Sequence, residues 1–207
     1  MIDIITGYYP ELTTLQTARL SRLLEIYRDW NSRINVISRK DMDDFYIHHV
    51  LHSLSIAKIV QFRDGTKVLD VGTGGGFPGI PLAIMFPGTL FYLLDSIGKK
   101  IKVVSAVASE LELENVTPLL KRAEEEIGRY DFVVSRAVTN FSDLVRMTSK
   151  NISKTSINPL ENGIICLKGG DITEELGQYA NRAKIWNISR FFAEQFFETK
   201  KIIYLGL

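Results

Sequence analysis

The run Asp70-Val71-Gly72-Thr73-Gly74-Gly75-Gly76-Phe77-Pro78-Gly79 carries the densest chemical signal in the chain. It follows an apolar stretch and leads into Ile80, Leu82, Ala83, Ile84 and Phe86, the order of strand, loop and helix that builds ligand sites in open α/β folds. Gly72, Gly74 and Gly76 let the backbone turn tightly and let a ligand come close to it. Pro81 falls near the first turn of the helix, where its missing N–H does little harm. A dinucleotide fingerprint would need a small residue three positions after Gly74, and Phe77 stands there. A phosphate loop would end in Gly-Lys-Ser/Thr, and no lysine occurs between Lys67 and Lys99.

Two carboxylates accompany the loop. Asp70 closes the strand before it and is expected to face a cationic amine rather than a pyrophosphate. Asp95 closes the next strand, Phe91-Tyr92-Leu93-Leu94-Asp95, where it could accept two hydrogen bonds from a ribose diol; a helix N-cap is the structural alternative, and both roles can coexist. An acid before the loop, an acid ending the second strand and no phosphate anchor together favour S-adenosylmethionine. Arg122-Ala123-Glu124, after the third strand, is placed either to line an adenine or simply to start a helix.

Other reactive residues divide less sharply. His48, His49 and His52 are the chain's three histidines, and His48 and His52 share a helical face. A zinc-protease motif would need Glu where His49 stands, and no third ligand is evident, so no metal is expected. Cys166, within Ile164-Ile165-Cys166-Leu167, reads as a buried small hydrophobe, which leaves cytosine-C5 methylation without a nucleophile. Ser135-Arg136-Ala137 occupies the place where methylases of exocyclic amines carry Asn/Asp-Pro-Pro-aromatic, and Asn158-Pro159-Leu160 lacks the second proline. Arg33, Arg39, Lys40, Lys99, Lys100, Lys102, Arg136, Lys150, Lys154 and Lys168 could form a basic rim. Arg136 and Lys168 stand out because each directly follows a strand on the expected ligand side.

The elements that must position these residues follow from periodicity. Leu12, Leu15, Ala18, Leu20, Leu23, Leu24, Ile26, Tyr27 and Trp30 mark one face of a long amphipathic helix, and a second helix is expected over roughly 43–60. A polar link, 31–40, separates them. Lys67–Val71, Leu90–Leu94, Asn115–Leu119, Tyr130–Ser135 and Gly163–Leu167 read as buried strands separated by helical crossovers, a doubly wound α/β domain with a parallel sheet. Trp186–Phe191 and Lys201–Leu205 are too close for a crossover helix and predict an antiparallel hairpin on the sheet edge.

Composition agrees with one globular unit. The 207 residues are 45% hydrophobic and 24% charged, which excludes a disordered or collagen-like chain, and a single cysteine excludes an internal disulfide. The segment 1–7 lacks a signal peptide's features and no apolar run is long enough to span a membrane, so a cytoplasmic, soluble protein is expected. A net charge of +1 means that any nucleic-acid contact must come from a local patch.

Asp70–Pro81, Leu94-Asp95-Ser96 with Gly98-Lys99-Lys100, Ala123-Glu124, Ser135-Arg136-Ala137 and Leu167-Lys168-Gly169 resemble the bacterial small-subunit (16S) ribosomal RNA guanine-N7 methyltransferases, also called the glucose-inhibited division protein B family. The resemblance spans nearly the whole chain, Trp30-Asn31 and Asn35 included, and Gly-Phe-Pro-Gly-Ile-Pro is its most specific part. It implies a class I S-adenosyl-L-methionine-dependent fold, with residues 1–62 as a helical extension and 63–207 as the methyltransferase domain. It also implies Gly72, Phe77, Ala123, Glu124 and Arg136 at the methyl donor, with Asp95 at its ribose. Asp70 and Gly74 complete the expected donor-binding set, and Arg136, Lys168 and His49 are candidates for positioning. The expected partner is small-subunit ribosomal RNA, bound by a monomer without metal or membrane. The family's Arg-His-x-x-Asp-Ser is here His48-His49-Val50-Leu51-His52-Ser53, keeping only the second His and the Ser, and its Asn-Leu-Thr is Asn35-Val36-Ile37. A small-molecule methyltransferase, or an RNA-binding protein that keeps the donor pocket without turnover, are the alternatives.

Overall fold

The computed structural model describes residues 2–38, 40–136 and 140–207. Arg39 and Ala137, both named above, and the side chain of Lys40 lie outside the described residues. The chain opens with helices α1 (Asp3–Tyr8) and α2 (Thr14–Arg33). In α2 the Thr13 hydroxyl accepts from the Gln16 amide at 3.2 Å and the Gln16 side chain accepts from the Thr13 amide at 2.8 Å, a capping box that satisfies two end amides. Leu20, Leu23, Leu24 and Tyr27 fall on one buried stripe, but Leu15 is 58% exposed. At about 100° per residue, Leu15 points roughly 140° away from Leu20, so it does not share the stripe that the sequence pattern assigned to it.

The expected second helix is a composite. Tyr46–Leu51 winds as a π-helix, α3 (His52–Leu54) follows directly, and Ser55–Lys58 tightens to a 3-10 turn. The alternating part then runs β1 (Lys67–Val71), α4 (Gly79–Met85), β2 (Leu90–Asp95), α5 (Gly98–Glu110), β3 (Val116–Leu120), β4 (Phe132–Arg136), α6 (Phe141–Thr148), β5 (Gly163–Gly169), α7 (Thr173–Leu176), β6 (Lys184–Asn187) and β7 (Lys200–Gly206). Their order in one sheet is β3-β2-β1-β4-β5-β7-β6, parallel except that β7 runs antiparallel to both β5 and β6. The terminal hairpin is thus present with β7 inserted against β5 and β6 outermost. Its first strand is shorter than expected, because Ile188–Arg190 turns as a 3-10 helix.

Side-chain parity sorts the strands between two cores. Val68, Phe91, Leu93, Phe132, Val134, Ile165 and Leu167 pack with α4, α5 and the helices of the first 60 residues. Leu69, Val71, Leu94, Val133, Ile164 and Cys166 pack on the other face with Phe141, Leu144 and Val145 of α6 and Leu176 of α7. Both faces being covered explains the near-continuous apolar strands. Successive residues alternate faces, so the polar residues at the strand ends inherit a side: Asp70 and Arg136 continue the rows of Val68 and Val134, and Lys168 continues that of Cys166. Among the described residues no helix is long and apolar enough to cross a membrane.

Candidate donor-binding cleft

The loop from β1 to α4 takes its shape from backbone conformations that glycine supplies. Gly72, Gly74 and Gly76 have φ of 66°, 60° and 102°. At Gly79, where α4 begins, a Cβ would collide with Leu93 and the Asp70 carboxylate, so glycine lets the helix sit against β2. Amides of Gly76 and Phe77 donate to the Thr73 carbonyl at 2.9 Å, and the Thr73 amide donates to the Leu94 carbonyl at 2.9 Å, which ties the loop to β2.

The two carboxylates divide the labour. Asp70 has no exposed surface and is absent from the cleft wall; its Oδ2 accepts from the Thr73 hydroxyl at 2.7 Å and the Gly79 amide at 2.9 Å. It lies beneath the loop, not at an amine's approach. Burial pushes its pKa up to about 7, against the opposing pull of those two hydrogen bonds. Asp95 does line the cleft. Its Oδ2 accepts from the Gly74 amide at 3.0 Å and its Oδ1 from the Ile97 amide at 3.0 Å, so it braces both the loop and the entry to α5. Lys100 Nζ stands 3.5 Å from Oδ2. A carboxylate oxygen has two lone pairs, so Oδ1 keeps capacity for a further donor from the cleft, while Oδ2 already meets the Gly74 amide and Lys100.

The cleft, of about 520 Å³, opens at the C-terminal ends of β1, β2 and β4. Gly72, Thr73, Gly74, Gly75 and Phe77 form one side; Leu94, Asp95, Ser96, Ile97 and Lys100 form the second; Lys121, Arg122, Ala123 and Glu124 form the third. Val36, Val71, Arg136 and Met147 complete it. A Cβ at Gly74 would meet nothing nearer than the Gly72 carbonyl oxygen at 4.0 Å, so a ligand can reach this backbone from the open side. Carboxylate acceptors, exposed loop backbone and apolar patches from Val36, Leu94, Ile97 and Met147 suit a nucleoside joined to an amino-acid chain, the chemistry of S-adenosyl-L-methionine. The residues present fit that donor.

Arg136 reaches the cleft but is held from behind. One guanidinium nitrogen donates to the His48 carbonyl at 3.0 Å, another lies 2.9 Å from His49 Nδ1, and the group stacks over the Phe77 ring at 5.0 Å. Burial lowers its pKa to about 10, well above neutrality. Burial, with the Arg136 charge next, drives His49 down to about 3. A neutral His49 that accepts at Nδ1 carries its proton on Nε2, and among the described residues that atom is buried without a hydrogen-bond partner. His49 is absent from the cleft wall and touches the site through Arg136 and the Phe77 ring, 5.1 Å between centroids. His52 is buried, its Nε2 also without a partner among the described residues, and is likewise pushed down. His48 turns to Asp41, 2.9 Å from Nδ1, and stacks on Phe196.

Lys168 is not brought to the cleft. Its ammonium pairs with Glu175 of α7 at 2.6 Å, and its side chain is 9% exposed. Of the remaining cations, Lys100 lines the cleft, Lys150 donates to the Glu124 carbonyl behind it, and Arg33 pairs with Asp29 at 2.9 Å. Lys99, Lys102 and Lys154 are exposed. Burial raises the Cys166 thiol to about 12, so it is inert.

Sequence reasoning missed the residues that reach the loop from the N-terminal part. Tyr27 of α2 donates its hydroxyl to the Gly75 carbonyl and sits with Phe45 and Phe77 in an aromatic cluster, at 5.5 and 4.9 Å between centroids. Its place on the apolar stripe signalled burial without signalling what it would touch. Val36 carried a signal only as part of Asn35-Val36-Ile37, and Met147 carried none.

Residues 16–203 match the family model described as rRNA small subunit methyltransferase G. The ribosomal RNA small subunit methyltransferase G of Flavobacterium psychrophilum is 59% identical over 206 residues, covering 100% of this chain and 98% of that protein. Its counterpart in Bacteroides thetaiotaomicron is 54% identical over 203 residues, covering 98% of each. Among solved structures, a SAM-dependent methyltransferase from Aquifex aeolicus superposes with a TM-score of 0.56 at 16% identity, covering 81% of this chain and 97% of that one, a likeness of fold. The fold is that of the class I S-adenosylmethionine-dependent methyltransferases.

Proposed function

The chain belongs to the rRNA small subunit methyltransferase G family, and from that premise we propose that it transfers a methyl group from S-adenosyl-L-methionine to N7 of a guanine in 16S ribosomal RNA. The observation that carries the reading is the Asp95 carboxylate on the wall of an open, glycine-edged cleft at the strands' C-terminal ends. Asp95 would hold the donor's ribose hydroxyls, the Gly72–Gly75 backbone its amino-acid portion, and Ala123 and Glu124 its base. Asp70 acts one layer below, by fixing the loop.

The donor supplies an electrophilic methyl on a sulfonium. Guanine N7 carries its lone pair in the ring plane and gives up no proton on methylation, so the chain need supply no general base. The surroundings of Arg136 agree: its guanidinium stays charged, and His49, held neutral with Nδ1 engaged, offers no base at neutral pH. The chain's task is alignment of N7 with the methyl–sulfur bond, which can be worth roughly 7–11 kcal/mol. Arg136 belongs to that alignment. We place the reaction in the cytoplasm, on a monomer in which residues 1–62 and 63–207 act as one unit.

The test is label transfer from the donor to free 16S RNA, small-subunit particles and a small-metabolite extract, with the RNA product digested for mass spectrometry. Label on guanine N7 is expected. Label in the metabolite fraction would make this a small-molecule enzyme, donor binding without transfer would make it a non-catalytic binder, and a methyl on another atom would reject the base assignment.

A further inference from the structure

Val36 stands outside the sheet and reaches the cleft from the link that follows α2. It packs tightly on the glycine loop: a Cβ at Gly75 would lie 3.2 Å from Val36 Cβ and 3.3 Å from its Cγ2. One side chain folds the link into this position. Asn31 Oδ1 accepts from the Val36 amide at 2.9 Å and the Ile37 amide at 3.0 Å, while its Nδ2 donates to the Ile37 carbonyl at 2.9 Å. Ile37 is buried, which anchors the far end.

Tyr27 and Asn31 are four residues apart on α2 and so share a face. Tyr27 donates to the Gly75 carbonyl, and Asn31 sets the residue that covers Gly75. One helical face therefore fixes both the loop's peptide and the apolar wall above it. We propose that Val36 is a donor-binding residue, contacting the hydrocarbon part of S-adenosyl-L-methionine that lies over Gly74 and Gly75, and that Asn31 is the positioning residue that holds it there. The proposal rests on the reading that the donor occupies this cleft.

The experiment titrates S-adenosyl-L-homocysteine into the full chain and its variants by calorimetry, beside thermal melting without ligand and steady-state methylation of 16S RNA. Val36→Ala, which leaves every hydrogen bond of the link intact, should weaken binding about threefold to tenfold with little change in melting. Asn31→Ala should weaken it about tenfold, and Asn31→Asp, which keeps the oxygen that accepts both amides but sets a second oxygen against the Ile37 carbonyl, should recover part of the loss. In turnover the KM for the donor should rise while kcat at saturating donor holds. No binding by the wild type would fail the donor reading itself. Wild-type binding with both alanine variants within twofold of it would overturn this inference, as would a fallen kcat at unchanged ligand affinity.

Discussion

Arg136 and Lys168 end neighbouring parallel strands at the same end of the sheet, yet they serve opposite faces. Arg136 is in register with Leu167, so Lys168 stands one residue further on and has the opposite parity. Arg136 continues the row that meets the N-terminal helices, where the His48 carbonyl and His49 hold it beside Phe77. Lys168 continues the row that meets α6 and α7, and closes on Glu175. Distance along a strand says which end of the sheet a residue occupies; parity says which layer of helices it meets. Val71 and Leu94, on the face of Lys168, still line the cleft because β1 and β2 lie at its centre. The comparison becomes testable by asking what each cation does for binding, transfer and stability.

The largest effect should come from Arg136→Ala. Its loss removes a cleft-wall cation and frees the helical segment that carries His48 and His49, and small misplacements at a reacting centre cost about a hundredfold. We expect kcat/KM for RNA methylation to fall by about that factor. The wild-type rate at saturating donor should stay nearly flat from about pH 6.5 to 8.5, since neither Arg136, near 10, nor His49, near 3, titrates there, and Asp70, near 7, lies beneath the loop and off the cleft wall. A steep single-proton rise in the chemical step would instead reveal a required base and break the alignment argument.

Asp95→Ala comes next. It removes an acceptor on the cleft wall and also releases the Gly74 and Ile97 amides. Donor affinity should drop by about 1–3 kcal/mol, the range for hydrogen bonds to a charged acceptor. Calorimetry gives the value, and repeating it with a chelator should leave it unchanged. An unaltered affinity in the variant would remove Asp95 from the ribose.

How much of this was legible in the sequence depends on what each signal encodes. The strand–loop–helix around Gly72–Gly79 was readable because glycine spacing reports backbone geometry directly, and β1 falls on the expected residues, Lys67–Val71. Asp95 was readable because a strand end and a turn fix where its side chain can go. Asp70 was not, because its neighbours in space, Thr73 and Gly79, consume its oxygens in a way that only the folded loop reveals. Counting alternate residues from the apolar row of β5 would have given the face of Lys168, though not its pairing with Glu175 of α7. The contacts of Tyr27, Asn31 and Val36 depend on how α2 docks across the loop, a long-range arrangement that neither the apolar stripe nor the resemblance at Asn31 and Asn35-Val36-Ile37 encodes. The π-helix at Tyr46–Leu51 was equally hidden, since apolar spacing does not separate it from an α-helix.

Asp70 gives a third effect, read in stability rather than in binding or transfer, that the Lys168 face should lack. Its folded pKa, about 7, lies above the ordinary carboxylate value, so the folded state retains a proton that the unfolded chain has released. Its stabilising share is full below the unfolded value, declines as pH climbs, and is gone above about 7. The slope is at most about 1.4 kcal/mol per pH unit. Asp70→Asn should flatten that decline while preserving acceptance from Thr73 and Gly79 through the amide oxygen. Denaturant midpoints between about pH 4 and 8 measure it, and an unchanged slope in the variant would move the titration elsewhere.

The smallest effect belongs to Lys168→Met, and it bears most directly on the comparison. Methionine keeps much of the apolar stem while deleting the ammonium, which leaves the half-buried Glu175 without its partner. Breaking a pair of this partly screened kind should cost about 1 kcal/mol in unfolding free energy. Glu175→Gln added to the same chain should return part of it, because the unpaired charge is then gone. Donor affinity and methyl transfer should stay within about twofold of wild type throughout, as Lys168 points away from the cleft that Arg136 lines. A loss of donor or RNA affinity at unchanged stability would put Lys168 back at the ligand, and the Glu175 pair would then have failed to separate the two cations.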